Sequence, residues 1–365
     1  MKHLKLFLLG IVALVAFTAC DKEDGPVCIL PAETCWPCAI LNNGNWGAND
    51  ACLTVFEHTT DYAKDHIFVK TNSMTLGDLG QDIVRVGNEY FIAVNGSKTI
   101  FVTDDHFKVK NQVNAEVDGW PLSPRYFCYV ESLGKVYVTY YEGYLGEIDL
   151  KTYDVRTTKV GLNPEGVDFA KGKLYVANSG GLNYENGYDN TISVVDAASF
   201  REEKQLTVNV NPQMVIADKA QETIYVNSFG NYGDVPAKLQ SITLSTGEVK
   251  DLNYTDVKGI ARHAYSNILY VVTGSYDENW QVQGTVNVFN MTDKAMLEKP
   301  LAENIKNYYS ISTAYDFVYV GTSDYKTNGD VYVYDKMGTE LKKIDAQGLN
   351  PIKVVPVPNW WVGSL

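Results

Sequence analysis

The sequence is poor in the residues and motifs that most enzymes use for catalysis and metal binding. Its 365 residues include only five histidines, which are scattered without the spacing of a metal-ligand set. It has no G-x-S-x-G nucleophile elbow, and no glycine-rich phosphate loop opens a helix. Basic residues are also scarce, with 31 Lys and Arg against 44 Asp and Glu. These absences predict a protein that is not an enzyme and does not bind nucleic acid.

A long apolar run occurs at the N-terminus, where basic MKHLK precedes LFLLGIVALVAF and then FTAC. The run is too short for a comfortable membrane span, and a small residue before cysteine is typical of a bacterial lipobox. We therefore expect residues 1–19 to be a signal peptide, Cys20 to be lipidated and 20–34 to form a tether. The alternative is a soluble secreted protein cleaved nearby. Loss of Lys2 and Lys5 from the 31 basic residues leaves 29, a net charge of about −15.

Five cysteines remain after Cys20. Cys28, Cys35, Cys38 and Cys52 cluster near the N-terminus, where structural disulfides of an oxidising compartment are expected, with the pairing left open. The CWPC segment has thioredoxin-type spacing but lacks the surrounding βαβ pattern. Cys128 stands alone in the apolar run YFCYV, and we expect it to be a buried free thiol.

A repeat of 45 to 47 residues runs through the chain after the tether. An apolar-Tyr-Val motif recurs in segments such as KLYVANSG and TIYVNSFG. A second motif follows each copy. It occurs seven times, and the last residues of its copies run from Glu57 to Asp335. A preceding apolar strand and an outer fourth strand complete each unit. Four short strands in seven copies predict an all-β, seven-bladed β-propeller over residues 35–365. The last first-strand copy, 350–357, should complete the N-terminal blade.

The YV-x-N signature of YVANSG and YVNSFG resembles that of the YncE/YVTN-like propellers. The resemblance extends from about residue 35 to the end of the chain. WD40 repeats fit less well, because no Gly-His and Trp-Asp pairs recur.

Long loops between the second and third strands of the units concentrate on one face of the predicted propeller. They are rich in Asn, Gly and aromatic residues, whereas the hairpins of the opposite face are short. Exposed Tyr and Trp provide stiff contact area with a polar tip, so we expect these loops to bind a ligand rather than only to pack on each other. The predicted aromatic contacts are Trp46, Tyr144, Tyr184, Tyr188, Phe229, Tyr232, Tyr276, Trp280 and Tyr325.

A second set of candidate residues opens each first strand, which should place it around the mouth of the central channel on the same face. This ring is mixed in charge and suits a polar ligand with amides or a phosphate; the alternative is an ordinary solvated rim. Trp120 lies just upstream of one of its members. The ring consists of Gln81, Arg125, Glu165, Gln213, Lys258, Tyr309 and Ile352.

The lipobox, acidic DKED and propeller repeat together resemble the surface cobalamin-binding lipoproteins of Bacteroides, the BtuG type. The resemblance implies a lipid-anchored protein on the outer face of the outer membrane. It would bind vitamin B12 as a ligand, without a catalytic cofactor or a metal, and pass it to a TonB-dependent transporter of the BtuB kind. Two alternatives remain: a glycan-binding surface lipoprotein, and a propeller lactonase or hydrolase. DYKTNGD at 324–330 lacks the alternating acids of a calcium loop.

Overall fold

The computed structural model describes residues 36–58, 63–263, 265–359 and Trp361. The expected signal peptide, Cys20, the tether, Cys28 and Cys35 lie outside these residues. The described part is almost entirely β-structure, with one short α-helix, α1 (Ile67–Asn72), and 3-10 turns at Glu131–Leu133 and Gly181–Asn186. None of its helices has the length and hydropathy needed to cross a membrane.

The first and last described strands meet in the first four-stranded sheet. Its spatial order is β3-β2-β1-β30, and the C-terminal strand pairs with the first described strand from Cys38↔Pro356 to Asn42↔Pro351. This pairing occurs at the position that the sequence repeat indicates. The strands are β1 (Cys38–Asn42), β2 (Cys52–Phe56), β3 (Ala63–Lys64) and β30 (Pro351–Pro356).

Four further antiparallel sheets have four strands each, in chain order from the first to the fourth strand. Their apolar strands fall on the repeat, and each sheet is a meander of consecutive antiparallel strands. The first two contain β4 (Gly80–Val86), β5 (Glu89–Val94), β6 (Thr99–Asp104), β7 (Val109–Val113), β10 (Pro124–Val130), β11 (Lys135–Tyr140), β12 (Tyr144–Asp149) and β13 (Val155–Lys159). The next two contain β14 (Pro164–Ala170), β15 (Lys173–Asn178), β16 (Thr191–Asp196), β17 (Arg201–Thr207), β18 (Pro212–Asp218), β19 (Thr223–Ser228), β20 (Lys238–Thr243) and β21 (Val249–Thr255).

The last two repeat units form one eight-stranded sheet, because a single long strand belongs to both. The first part of this strand pairs with β24, and the part from Tyr308 onward pairs with β27. Asn304 and Asn307 take left-handed φ values of 58° and 57° at the transition, which asparagine tolerates better than most residues. The strands are β22 (Val257–Arg262), β23 (Ile268–Tyr276), β24 (Val282–Asn290), β25 (Ala295–Met296), β26 (Ala302–Ala314), β27 (Phe317–Thr322), β28 (Asp330–Asp335) and β29 (Glu340–Asp345).

A two-stranded hairpin between β7 and β10 has no counterpart in the repeat. It consists of β8 (Glu116–Val117) and β9 (Trp120–Pro121), joined through Asp118 and Gly119, which have φ values of 53° and 77°. The hairpin holds Trp120 away from the sheets, with its side chain largely in solvent.

The hydrophobic core lies between neighbouring sheets. One cluster joins Ile192 and Val194 of β16 to Ile224 and Val226 of β19, and similar clusters fill the other interfaces. The first strands contact one another in the cyclic order β4, β10, β14, β18, β22, β26, β30 and back to β4. The tyrosines of the second-strand motif are buried in this core rather than available for binding: Tyr137, Tyr175, Tyr225, Tyr270 and Tyr319.

The cysteines differ from the expected disulfide framework. Among the described residues, Cys38, Cys52 and Cys128 are free and buried. Cys38 and Cys52 cannot bridge each other, because they lie at opposite ends of the β1–β2 pair, about 13 Å apart at the rise of a strand. Burial raises the pKa of Cys38 to about 12 and that of Cys52 to about 11, so both are protonated at neutral pH. The buried free thiol expected at Cys128 is confirmed.

Candidate functional site

The predicted ring residues share a structural feature, because each falls inside a β-bulge near the start of its first strand. The pairing register shifts between Gly80 and Asp82 in β4 and between Val257 and Gly259 in β22, for example, which leaves Gln81 and Lys258 unpaired. In a bulge, the side chain of the unpaired residue no longer follows the regular alternation between the two faces of the strand. The other bulges contain Arg125, Glu165, Gln213, Tyr309 and Ile352.

These bulges surround a cavity of about 430 Å³. Its volume lies in the range typical of small-molecule sites. Six of the seven ring residues line it, and Glu165 does not. The six are Gln81, Arg125, Gln213, Lys258, Tyr309 and Ile352, and Phe229 of the aromatic set joins them.

The charge of Arg125 is satisfied within the protein. Its guanidinium donates to both carboxylate oxygens of Glu165, each at 2.8 Å, and to Oε1 of Gln81 at 2.6 Å. The ring of Tyr141 lies 4.8 Å from the guanidinium carbon. Burial raises the pKa of Glu165, and the guanidinium of Arg125 offsets only part of this effect. Three predicted ligand contacts, Arg125, Glu165 and Gln81, thus form a buried network that holds together first strands of three sheets.

Lys258 occupies the same repeat position as Arg125 but has a different environment. Its Nζ lies 4.3 Å from the centroid of the Tyr276 ring, and it forms no hydrogen bond or ion pair with any described residue. Burial lowers the pKa of Lys258, and the carboxylate of Asp256 offsets part of that shift. A half-buried cation therefore faces the cavity with no carboxylate of the described residues in ion-pair contact.

Four of the predicted loop aromatics form a cluster beside Lys258. The Tyr232 ring lies at its centre, 6.4 Å from Phe229, 6.0 Å from Tyr276 and 6.4 Å from Trp280. A second cavity of about 370 Å³ is lined by these four rings and by Lys258. Because Phe229 and Lys258 also line the first cavity, the two cavities adjoin.

Four loop aromatics have a backbone conformation that is unfavourable for bulky side chains. The φ values are 69° at Tyr188, 58° at Tyr232, 61° at Trp280 and 61° at Tyr325. The left-handed region costs about 1–2 kcal/mol for such residues, and this kind of strain clusters at functional sites. Side-chain turns hold the backbone in place; Oδ1 of Asn231, for example, accepts from the backbone N–H groups of Gly233 and Val235 at 3.0 and 2.9 Å.

The thirteen-residue segment 178–190 contributes one of its two tyrosines to the cluster. Its 3-10 turn begins after Gly180, whose φ is 61° and where a Cβ would lie 2.2 Å from the backbone nitrogen of Asp189. Only glycine fits there. Tyr188 lies 6.2 Å from the Tyr232 ring, whereas Tyr184 is 59% exposed and makes no ring contact among the described residues.

Several predicted contacts lie outside the cluster. Trp46 and Trp120 are 85% and 75% exposed and make no ring contact with described residues. Tyr325 packs edge-on against Tyr309, with centroids 5.8 Å apart. Tyr144 packs against a core cluster between two sheets, so its expected contact with ligand is replaced at least in part by core packing.

Sequence reasoning missed cavity residues that neighbour the ring positions. Asp82, Tyr126, Met214, Gly259 and Lys353 also line the cavity, because a bulge exposes two consecutive residues. Asn227 of the YVNS motif lines it from a second strand. These residues could have been identified from the sequence, because most of them directly follow a ring position.

One group of potential metal ligands occurs in the described ranges, Asp104, Asp105 and His106. It lies in the turn between β6 and β7, on the face opposite the cavity. Oδ1 of Asp105 is 2.9 Å from Nδ1 of His106, and Asp104 caps its own turn through backbone N–H groups, so turn formation explains the cluster.

No protein-family model matches the chain, and no curated protein matches its sequence. Among solved structures, it is similar to Kuenenia stuttgartiensis hydrazine synthase, with a TM-score of 0.59. The similarity covers 75% of this chain and 87% of that chain at 17% identity. At that identity the likeness concerns the fold alone, and it supports a β-propeller-like all-β fold.

Proposed function

We propose that residues 35–365 form a seven-bladed β-propeller of the YncE-like kind. The support is the cyclic order in which seven first strands contact one another and the pairing of β30 with β1. On this proposal, the eight-stranded sheet is two blades that share β26, with its first part as the outer strand of one blade and its second part as the inner strand of the next.

We propose further that the protein is a non-enzymatic, lipid-anchored surface protein that binds cobalamin or a related corrinoid. The observation that carries this proposal is the bulge-lined polar cavity, which adjoins a wall of aromatic rings on one face. A corrinoid offers a broad ring with peripheral amides. Gln213, Asn227 and Tyr309 provide polar groups for such amides, while Tyr232 and Trp280 provide flat apolar area.

Isothermal titration calorimetry of the mature protein with cyanocobalamin tests the ligand. We expect saturable one-to-one binding and a higher melting temperature in the presence of ligand. Absence of heat and of any thermal shift with cyanocobalamin would remove the corrinoid proposal.

The proposed cellular role is capture at the outer face of the outer membrane and transfer to a TonB-dependent transporter. It depends on Cys20. Protease added to intact cells should remove the protein, and Cys20→Ser should release it from the membrane fraction. Co-purification with a BtuB-like transporter from detergent extracts tests the partner. Protection from protease in intact cells would place the protein on the periplasmic side.

A glycan-binding role is the second candidate, because Trp46 and Trp120 lie isolated and exposed on the loop face, as sugar-stacking platforms often do. Binding on a glycan array that is lost in Trp46→Ala and Trp120→Ala would support it. The hydrolase alternative has less support, because Glu165, the one acid of the ring, is held by Arg125 and does not line the cavity.

A further inference from the structure

Three cationic side chains line the central cavity, and they differ in how their charge is balanced. Arg125 is paired with Glu165, and Nζ of Lys353 lies 3.2 Å from Oδ1 of Asp82. Lys258 forms no hydrogen bond and no ion pair within contact distance among the described residues, and the carboxylate of Asp256 acts on it only at longer range. Removing a cation from water is costly unless a partner offsets the loss, so Lys258 is the position at which an anion would be most favoured.

A buried amide on the adjacent strand is also incompletely satisfied. Oδ1 of Asn227 accepts from the backbone N–H of Met214 at 3.1 Å, which orients the side chain. Its Nδ2 is fully buried and has no hydrogen-bond partner in the described structure. β19, which carries Asn227, contacts β22, which carries Lys258, and both residues line the cavity. An unused donor of this kind favours a ligand oxygen that can accept from it.

The aromatic cluster limits what else the ligand can carry. Lys258 lines both cavities, so a group held by its ammonium lies between the channel mouth and the rings of Tyr232, Tyr276 and Trp280. These rings offer apolar faces for a planar body. The left-handed backbone at Tyr232 and Trp280 sets the orientation of two of them.

We propose that Lys258 and Asn227 form an anion-binding subsite for the phosphate or carboxylate of a ligand whose planar ring packs against Tyr232 and Trp280. The subsite does not depend on the ligand being a corrinoid. The ammonium of Lys258 and Nδ2 of Asn227 both donate to the anionic oxygens. Such charge-assisted hydrogen bonds are stronger than neutral ones, so charge on the ligand should decide affinity here.

Calorimetry with three fragments tests this subsite: 1-naphthyl phosphate, 1-naphthoate and uncharged 1-naphthol. The wild-type protein should bind at least one of the two anions about tenfold or more tightly than 1-naphthol. Comparison of the two anions identifies which anionic group the subsite prefers. Equal affinity for charged and uncharged fragments, or no measurable binding of either anion, would overturn the proposal.

Variants then locate the effect. Lys258→Met should weaken binding of the preferred anion about tenfold or more and leave 1-naphthol within about twofold. Asn227→Asp keeps the acceptor for Met214 but replaces the free donor with an oxygen, so it should also weaken the anion selectively. Lys306→Met is the matched control, since Lys306 is exposed and forms no hydrogen bond or ion pair among the described residues. Unchanged anion affinity in both Lys258→Met and Asn227→Asp would overturn the assignment. Loss of cyanocobalamin binding alone would not, because the fragments report on the subsite independently.

Discussion

Arg125 and Lys258 occupy the same position of the repeat, in the bulge of a first strand, yet they are used differently. Arg125 joins Gln81 and Glu165 in a network that leaves no charge open to a ligand. Lys258 has an aromatic ring beside it and no carboxylate in ion-pair contact. One side of the cavity is therefore built for stability, and the other side retains unused binding capacity.

The comparison also separates two groups of loop aromatics. Those beside Lys258 form a contacting cluster around Tyr232, while Trp46, Trp120 and Tyr184 remain isolated in solvent. Rings that are held by their neighbours lose little further entropy when a ligand binds, so preorganisation favours the cluster as the stronger contributor to affinity.

The largest expected effect comes from breaking the charge network on the Arg125 side. Arg125→Met leaves the buried carboxylate of Glu165 without its cation, which should lower the free energy of unfolding by about 3–5 kcal/mol. Lys258→Met should change it by only about 0.5 kcal/mol, because no partner is left unpaired. Urea denaturation at neutral pH measures both.

The double variant Arg125→Met with Glu165→Gln removes both charges and should recover part of the loss. Equal destabilisation by Arg125→Met and Lys258→Met would mean that the two sides do not differ in the way that their contacts indicate.

The next effect concerns binding by the aromatic cluster. Tyr232→Ala removes the ring that contacts four others and should weaken cyanocobalamin binding about 30-fold, the size expected for a central anchor. Tyr184→Ala removes an isolated ring and should weaken binding less than about threefold. Calorimetry of both variants measures the two losses of affinity. An equal loss, or a larger loss in Tyr184→Ala, would indicate that the site lies toward the rim of the loop face.

Backbone strain at the cluster predicts a smaller effect on stability. Trp280→Gly should be about 1 kcal/mol more stable than Trp280→Ala, since glycine accepts a φ of 61° without the cost that alanine bears. The two variants should bind ligand equally weakly. Trp46 serves as the control, because its φ is not left-handed. Trp46→Gly should be no more stable than Trp46→Ala. The same order at both positions would indicate that strain is absent at Trp280.

The smallest effect is the pH dependence caused by Lys258. Its pKa in the folded protein lies below 10.5, the ordinary value of lysine, so between these two pKa values the unfolded chain binds more protons. Stability from this residue therefore increases as the pH rises through that window. The free energy of unfolding of the wild type relative to Lys258→Met should rise toward pH 10.5. Urea denaturation at a series of pH values up to 10.5 measures this difference, and a difference that does not change with pH would contradict the prediction.

Much of the architecture could be predicted from the sequence, because a repeat of fixed length places equivalent residues at equivalent points of successive sheets. The last first strand was expected at 350–357, and the structure has it at Pro351–Pro356. The same periodicity located the ring residues, six of which line one cavity. It could not place the hairpin of Trp120, which belongs to no repeat unit, or show that β26 serves two units.

The sequence alone determined the seven ring positions, since repeat position specifies strand and register. Only the tertiary structure decided what each residue does there. Arg125 and Glu165 are separated by 40 residues, and their side chains pair because bulges in adjacent sheets turn them toward each other. Lys258 has the same repeat position without such a neighbour. A local pattern specifies where a side chain begins, whereas its partners come from strands that are distant in sequence and adjacent only in the fold.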